Sequence, residues 1–102
     1  MRDRERQVKH RHFLLAVGNQ SAGVLELLQS LITREACSWW HYMGNVWILC
    51  THKSFDDWNG LIGSFLRNYP NAQFFLVELE QDKPRNGLLP KEAWEWLKEH
   101  HL

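Results

Sequence analysis

Residues 39–51, Trp-Trp-His-Tyr-Met-Gly-Asn-Val-Trp-Ile-Leu-Cys-Thr, constrain this chain more than any other stretch. They read as a two-stranded hairpin turning at Gly44-Asn45, because a glycine at the first central position supplies the positive φ such turns need. Setting Met43 opposite Val46 puts Trp39 across from Cys50, His41 from Ile48 and Cys37 from His52 on one face. The other face then carries Trp40 opposite Leu49 and Tyr42 opposite Trp47. An antiparallel ribbon with one solvated face alternates apolar and polar residues. This ribbon is apolar on both faces, so both must be covered, by helices of the chain itself or, on one side, by a second copy.

The flanking segments supply the covers. Phe13 to Val17 is a short apolar run expected as a buried strand, broken by Gly18-Asn19-Gln20-Ser21. Ser21 suits a helix N-cap, and Val24, Leu25, Leu28, Leu31 and Ile32 follow at helical spacing. Ser54 with Asp57 starts a second helix whose stripe is Phe55, Trp58, Ile62, Phe65 and Tyr69; Pro70 ends it. Gly60 and Gly63 inside that helix suggest a close backbone approach, since each costs up to ~1 kcal/mol relative to alanine. Phe74 to Glu80 is the last strand. Pro90 opens a terminal helix with Ala93, Trp94, Leu97 and His101 on one face and Trp96 on another. The fold class is therefore α+β, a ferredoxin-like β-α-β-β-α-β order with an additional C-terminal helix.

At 102 residues the chain has room for a single core, residues 13–102, behind a basic arm of residues 1–12. The formal charge is zero, yet Arg2, Arg4, Arg6, Lys9 and Arg11 stand against only Asp3 and Glu5 in that arm. The arm can contact phosphates or stay solvated. No apolar run is long enough to cross a membrane, which gives the expectation of a cytoplasmic protein with no membrane partner. Two cysteines placed diagonally on one hairpin face favour reduced, buried thiols over a strained disulfide.

The chemistry-bearing residues point weakly. Gly18 to Gly23 follows a strand and precedes a helix but lacks the Lys-Ser/Thr of a phosphate loop, so an ordinary turn is expected. Cys37, His41, Cys50 and His52 share one face of the hairpin in the register above, and such side chains are the usual zinc ligands. They lie on flat strands without the short ligand spacing of structural zinc sites, and they share the face with Trp39 and Ile48. Packed thiols and a satisfied histidine are the reading, with no metal and no cofactor assigned. Glu78, Glu80, Asp56 and Asp57 read as solvated strand charges and helix-capping residues, and no catalytic residue is assigned. Trp40, Tyr42, Trp47, Phe74 and Trp96 read as an aromatic interface between two copies, with base stacking as the alternative.

Residues 40–51 (Trp-His-Tyr-Met-Gly-Asn-Val-Trp-Ile-Leu-Cys-Thr), 75–79 (Phe-Leu-Val-Glu-Leu) and 87–97 (Gly-Leu-Leu-Pro-Lys-Glu-Ala-Trp-Glu-Trp-Leu) together resemble the small bacterial and phage proteins labelled SinR-family. Those are similar in fold to the CRISPR-associated spacer-acquisition and VapD families. The resemblance spans residues 13–102. It implies a ferredoxin-like protomer that dimerises through its sheet, often with the C-terminal segment exchanged. Nuclease members of the wider fold place a metal-binding carboxylate at the end of the first strand. Ala16-Val17-Gly18-Asn19-Gln20 holds none there, and Asn19 is a poor magnesium ligand.

Taken together, these residues give the expectation of a small homodimeric binding module without catalytic activity. Its expected role is as a nucleic-acid-binding accessory in a defence or mobile-element system, using Arg2, Arg4, Arg6, Lys9 and Arg11 on DNA or RNA. A protein-interaction or inhibitor module is the alternative, and a degenerate metal-dependent ribonuclease the second alternative.

Overall fold

A computed structural model describes residues 10–18 and 20–102. Its elements follow in the order β1 (Arg11–Val17), α1 (Ala22–Glu35), β2 (Ser38–Met43), β3 (Val46–Thr51), α2 (Phe55–Leu66), β4 (Phe74–Leu79) and α3 (Lys91–Glu99). The four strands form one sheet in the order β2-β3-β1-β4, every neighbouring pair antiparallel. The chain is thus α+β, a four-stranded antiparallel sheet with three helices.

Alternation along the two central strands divides the apolar residues between two layers. Phe13, Leu15 and Val17 of β1 and Trp47 and Leu49 of β3 face α1 and α2, where Leu28, Leu31, Ile32, Trp58, Ile62 and Leu66 complete the main core. Trp40 and Ile48 face the other way and are covered by Ala93 and Leu97 of α3, with Leu79, Leu89, Trp94 and Trp96 around them. The doubly apolar hairpin therefore has both faces covered by helices of its own chain. α3 is held there by the Trp40 indole, whose Nε1 donates to the Ala93 carbonyl at 3.2 Å.

Local signals explain the helix starts. Ser21 Oγ accepts from Val24 N at 3.3 Å, and Ser54 Oγ accepts from Asp57 N at 3.1 Å. Each satisfies a first-turn donor that no intrahelical carbonyl can reach. Pro90 stands just outside α3 as its N-cap rather than as its first residue, its carbonyl accepting from Ala93 N at 3.1 Å.

Further expectations are corrected, the first being that both thiols are buried, since Cys37 is exposed and only Cys50 is buried. The hairpin register is the expected one only at Met43–Val46; beyond it Trp40 opposes Ile48, Trp39 opposes Leu49 and Ser38 opposes Cys50. A bulge at His41–Tyr42 sets two residues against Trp47 and slides the rest of the pairing by one, which exchanges cross-strand partners throughout. Gly44 does not adopt a positive φ, so the turn is not of the primed type expected. A Cβ built on Gly60 or Gly63 would meet nothing within 4 Å, so no backbone among the described residues packs closely against them. His101 does not join the buried face of α3: it takes φ 60° past the helix end, and His100 turns inward instead.

Candidate metal centre

The outer end of the sheet, where β1 starts and β3 stops, gathers six side chains that ligate metals. β1 begins at Arg11, two residues ahead of the apolar run, and this draws His12 into the sheet opposite Cys50. Strand geometry puts residues two apart on one face, so His10 lies beside His12, and His52 beside Cys50. β2 brings Cys37 and Ser38 alongside, with the Cys37 amide donating to the Cys50 carbonyl at 2.8 Å. α3 ends at His100, directly over the buried pair.

Two triads result. In the inner one the ligating atoms of His12, Cys50 and His100 all lie within 4.8 Å of one another. His12 and Cys50 are buried and His100 half-buried. The outer one, His10, Cys37 and His52, meets the same limit with all three residues exposed. Tetrahedral coordination with bonds of about 2.0–2.3 Å separates ligand atoms by roughly 3.3–3.8 Å, so small rotamer adjustments close either triad on an ion.

The inner triad is electronically prepared. Among the described residues His12 Nε2 is buried without a hydrogen-bond partner, as is Trp47 Nε1 in the main core, but only the His12 atom belongs to a residue grouped with other metal-ligating side chains. Burial, and then the nearby His100 and His10, push the His12 pKa down to about 4, so its ring is neutral and carries a free lone pair at neutral pH. His100 Nδ1 is 2.8 Å from the Trp96 carbonyl. A carbonyl only accepts, so Nδ1 carries the proton and Nε2 is left as the lone-pair nitrogen. That Nε2 sits 3.4 Å from Ser38 Oγ. Burial, then Cys37, raises the Cys50 pKa, with the Ser38 hydroxyl opposing the shift; an incoming cation would displace the thiol proton. A stacked Trp96, its ring centroid 3.7 Å from that of His100, fixes the imidazole plane.

The residues singled out from the sequence are distributed differently. Cys37, Cys50 and His52 come to this end of the sheet, in two separate triads. His41 does not join them: it turns to the α1 side, stacks on Trp47 at 4.1 Å and meets Gln29 Oε1 at 2.7 Å. The sequence assigns no ligand role to His10 or His12 and reads His100 with His101 as a complement to the helix-end dipole. The usable signal was the pair of matching alternations, His10-x-His12 and Cys50-x-His52, legible once β1 is extended beyond the apolar run.

Arg2, Arg4, Arg6 and Lys9 lie outside the described residues, as does Asn19. Arg11 faces Glu78 at 3.6 Å in an exposed ion pair. Trp47 is enclosed in the main core and Trp40 lies beneath α3. Phe74 is half-buried against the main core, and Trp96 is half-buried in α3. Tyr42, 42% exposed, is the most open of the five aromatic positions and packs edge-on to Trp40 at 5.3 Å. No helix among the described residues is long and apolar enough to cross a membrane. Gly18 continues the β1–β4 pairing by one step, its amide donating to the Gln73 carbonyl at 2.8 Å. No family model, curated protein or solved structure matches this chain.

Proposed function

We propose that this chain is a small binding module of ferredoxin-like arrangement that holds a thiophilic divalent cation, Zn²⁺ in the plainest case, on His12, Cys50 and His100. The β-α-β-β-α-β element order and the β2-β3-β1-β4 sheet support the arrangement. The observation that carries the function is the orphaned His12 Nε2. An unsatisfied buried polar atom costs about 1–3 kcal/mol, and a metal bond uses that lone pair where no donor among the described residues reaches it. A neutral imidazole, a second imidazole held in the matching tautomer and a thiol form the mixed N/S set that Zn²⁺ accepts, with a fourth position for water or a further ligand. The reading is one of binding and assigns no reaction.

Cobalt(II) titration tests it, because Co²⁺ takes the same ligands and a Cys–Co bond gives a thiolate charge-transfer band. The band is expected with the full chain, lost in Cys50→Ser and weakened at least about a hundredfold in affinity in His100→Ala. A folded protein that gives no band and retains no Zn²⁺ after dialysis would sink the assignment.

A second reading keeps the basic arm as a nucleic-acid contact, supported by the surplus of three positive charges that residues 1–12 carry in a chain of zero net charge. Its test is fluorescence anisotropy with single-stranded RNA and duplex DNA. Affinity should fall steeply with salt and be lost when Arg2, Arg4, Arg6 and Lys9 are replaced by alanine, since released counterions drive such binding. No binding at low salt would leave the protein-interaction reading, whereas binding indifferent to salt and to the arm would sink the arm as the contact.

A further inference from the structure

The outer triad has its own geometry, and it bears on how the inner one is filled. β1 and β3 run antiparallel, with Arg11 opposite Thr51 and His12 opposite Cys50. One step further out, His10 and His52 stack with ring centroids 4.2 Å apart and planes 23° from parallel. The two strands thus present two successive ligand rungs on the same face, separated by two residues, or about 7 Å. Each rung is completed by a residue from a different element. α3 adds His100 to the inner rung, and the chain entering β2 adds Cys37 to the outer. Both rungs carry the same donor set, two imidazoles and one thiol.

They differ in access. All three outer residues are exposed, whereas the inner thiol and His12 are buried. One cleft of 420 Å³ touches both rungs, lined among others by His10, His12, Cys37, Cys50 and His100. His52 lies outside that lining, so the cleft joins His10 and Cys37 of the outer rung to all three inner ligands, with the outer pair the more exposed.

We propose that His10, Cys37 and His52 form a second, labile metal site that loads the inner site by ligand exchange. This rests on the inner triad being a metal site, and it assigns the outer residues a role that the inner site alone does not require. The ion passes without change of oxidation state. The Cys37 thiolate and the two outer imidazoles are exchanged for Cys50 and the inner imidazoles, and a proton leaves Cys50 for Cys37 or solvent as the transfer completes. Identical donor sets make the exchange close to balanced apart from burial, which favours retention at the inner rung by excluding competing water.

The test uses the full chain with Zn²⁺ and Co²⁺ and a chromophoric chelator. Wild-type protein should bind two equivalents, one surrendered to the chelator quickly and one slowly. Cys37→Ser and His52→Ala, both at exposed positions, should each lose the fast equivalent, keep the slow one and load it more slowly. One slow equivalent in the wild type, unchanged in amount and loading rate by either substitution, overturns the outer site while leaving the inner one standing. No bound metal in a folded wild type overturns both. A fast equivalent that survives Cys37→Ser and His52→Ala also rules out the outer triad. As a fold control, thermal melts of the metal-free variants should superimpose on that of the wild type.

Discussion

His100 Nδ1 lies 2.8 Å from the Trp96 carbonyl, one helical turn back in α3, and this contact decides which nitrogen of His100 faces Cys50 and His12. The ring is fixed twice, by that hydrogen bond and by stacking on the Trp96 indole. His100→Gln keeps a polar side chain but not the ring, so Co²⁺ affinity should drop at least about a hundredfold. Trp96→Leu keeps the carbonyl and removes only the stacking. It should cost less, on the order of tenfold, because orientation is loosened while the ligand remains. Equal losses for the two, read from the charge-transfer band, would show that the indole matters as much as the ligand.

His12 makes the metal-free protein sensitive to acid. Its pKa is about 4 in the folded chain, lowered first by burial and then by His100 and His10, against about 6.5 when unfolded. Between those values the unfolded chain binds more protons, so acidification favours unfolding. Stability in the presence of a chelator should fall from near pH 6.5 to near pH 4, by about 3 kcal/mol in all, and level off below. His12→Gln should flatten that segment of the profile. An unchanged slope in denaturant midpoints between pH 4 and 6.5 would show that the ring is not buried neutral.

Periodicity made the elements legible and pairing hid the site. The stripe Phe55, Trp58, Ile62 and Phe65, the Ser21 and Ser54 caps and the apolar run in β1 are local signals, set by residues within a few positions of one another; α1 and α2 start where their caps put them, while β1 begins two residues ahead of its apolar run. Which residues meet across strands depends on one bulge at His41–Tyr42, and no composition marks it. That single inserted residue separates His41 from Cys50 and breaks up the face on which four candidate ligands had been placed. His12 was hidden by the charged residues around it. Arg11 and Lys9 disguise a strand start whose inward side chain is polar, and His100 reaches the cluster only through the docking of α3. Long-range placement of this kind is tertiary information.

Among the described residues nothing packs closely enough on Gly60 or Gly63 to require glycine, since a Cβ on either meets nothing within 4 Å, and neither has a positive φ. Alanine removes backbone freedom from the unfolded chain and improves helix propensity. Gly60→Ala and Gly63→Ala should each stabilise the protein by up to about 1 kcal/mol, and the pair should be nearly additive. Chemical denaturation decides it; a loss of stability at either position would show that the space around that glycine is not open.

Thr51 and Trp58 tie the end of β3 to α2. Thr51 Oγ1 accepts from Trp58 Nε1 at 3.0 Å and from Lys53 N at 3.0 Å, and both Thr51 and the Trp58 ring are buried. Thr51→Val keeps the shape but leaves the indole N–H without an acceptor in the core, at a cost of about 1–3 kcal/mol. Thr51→Ser retains the oxygen and loses one methyl group, so it should cost less, about 1 kcal/mol. The order of the two variants matters more than either magnitude: if valine is the milder change, the hydroxyl contributes little and the methyl packing holds this corner. Because Thr51 lies between Cys50 and His52, the valine variant should also loosen both metal rungs together. That would appear as faster loss of both bound ions to a chelator, whereas Cys37→Ser removes only the outer one.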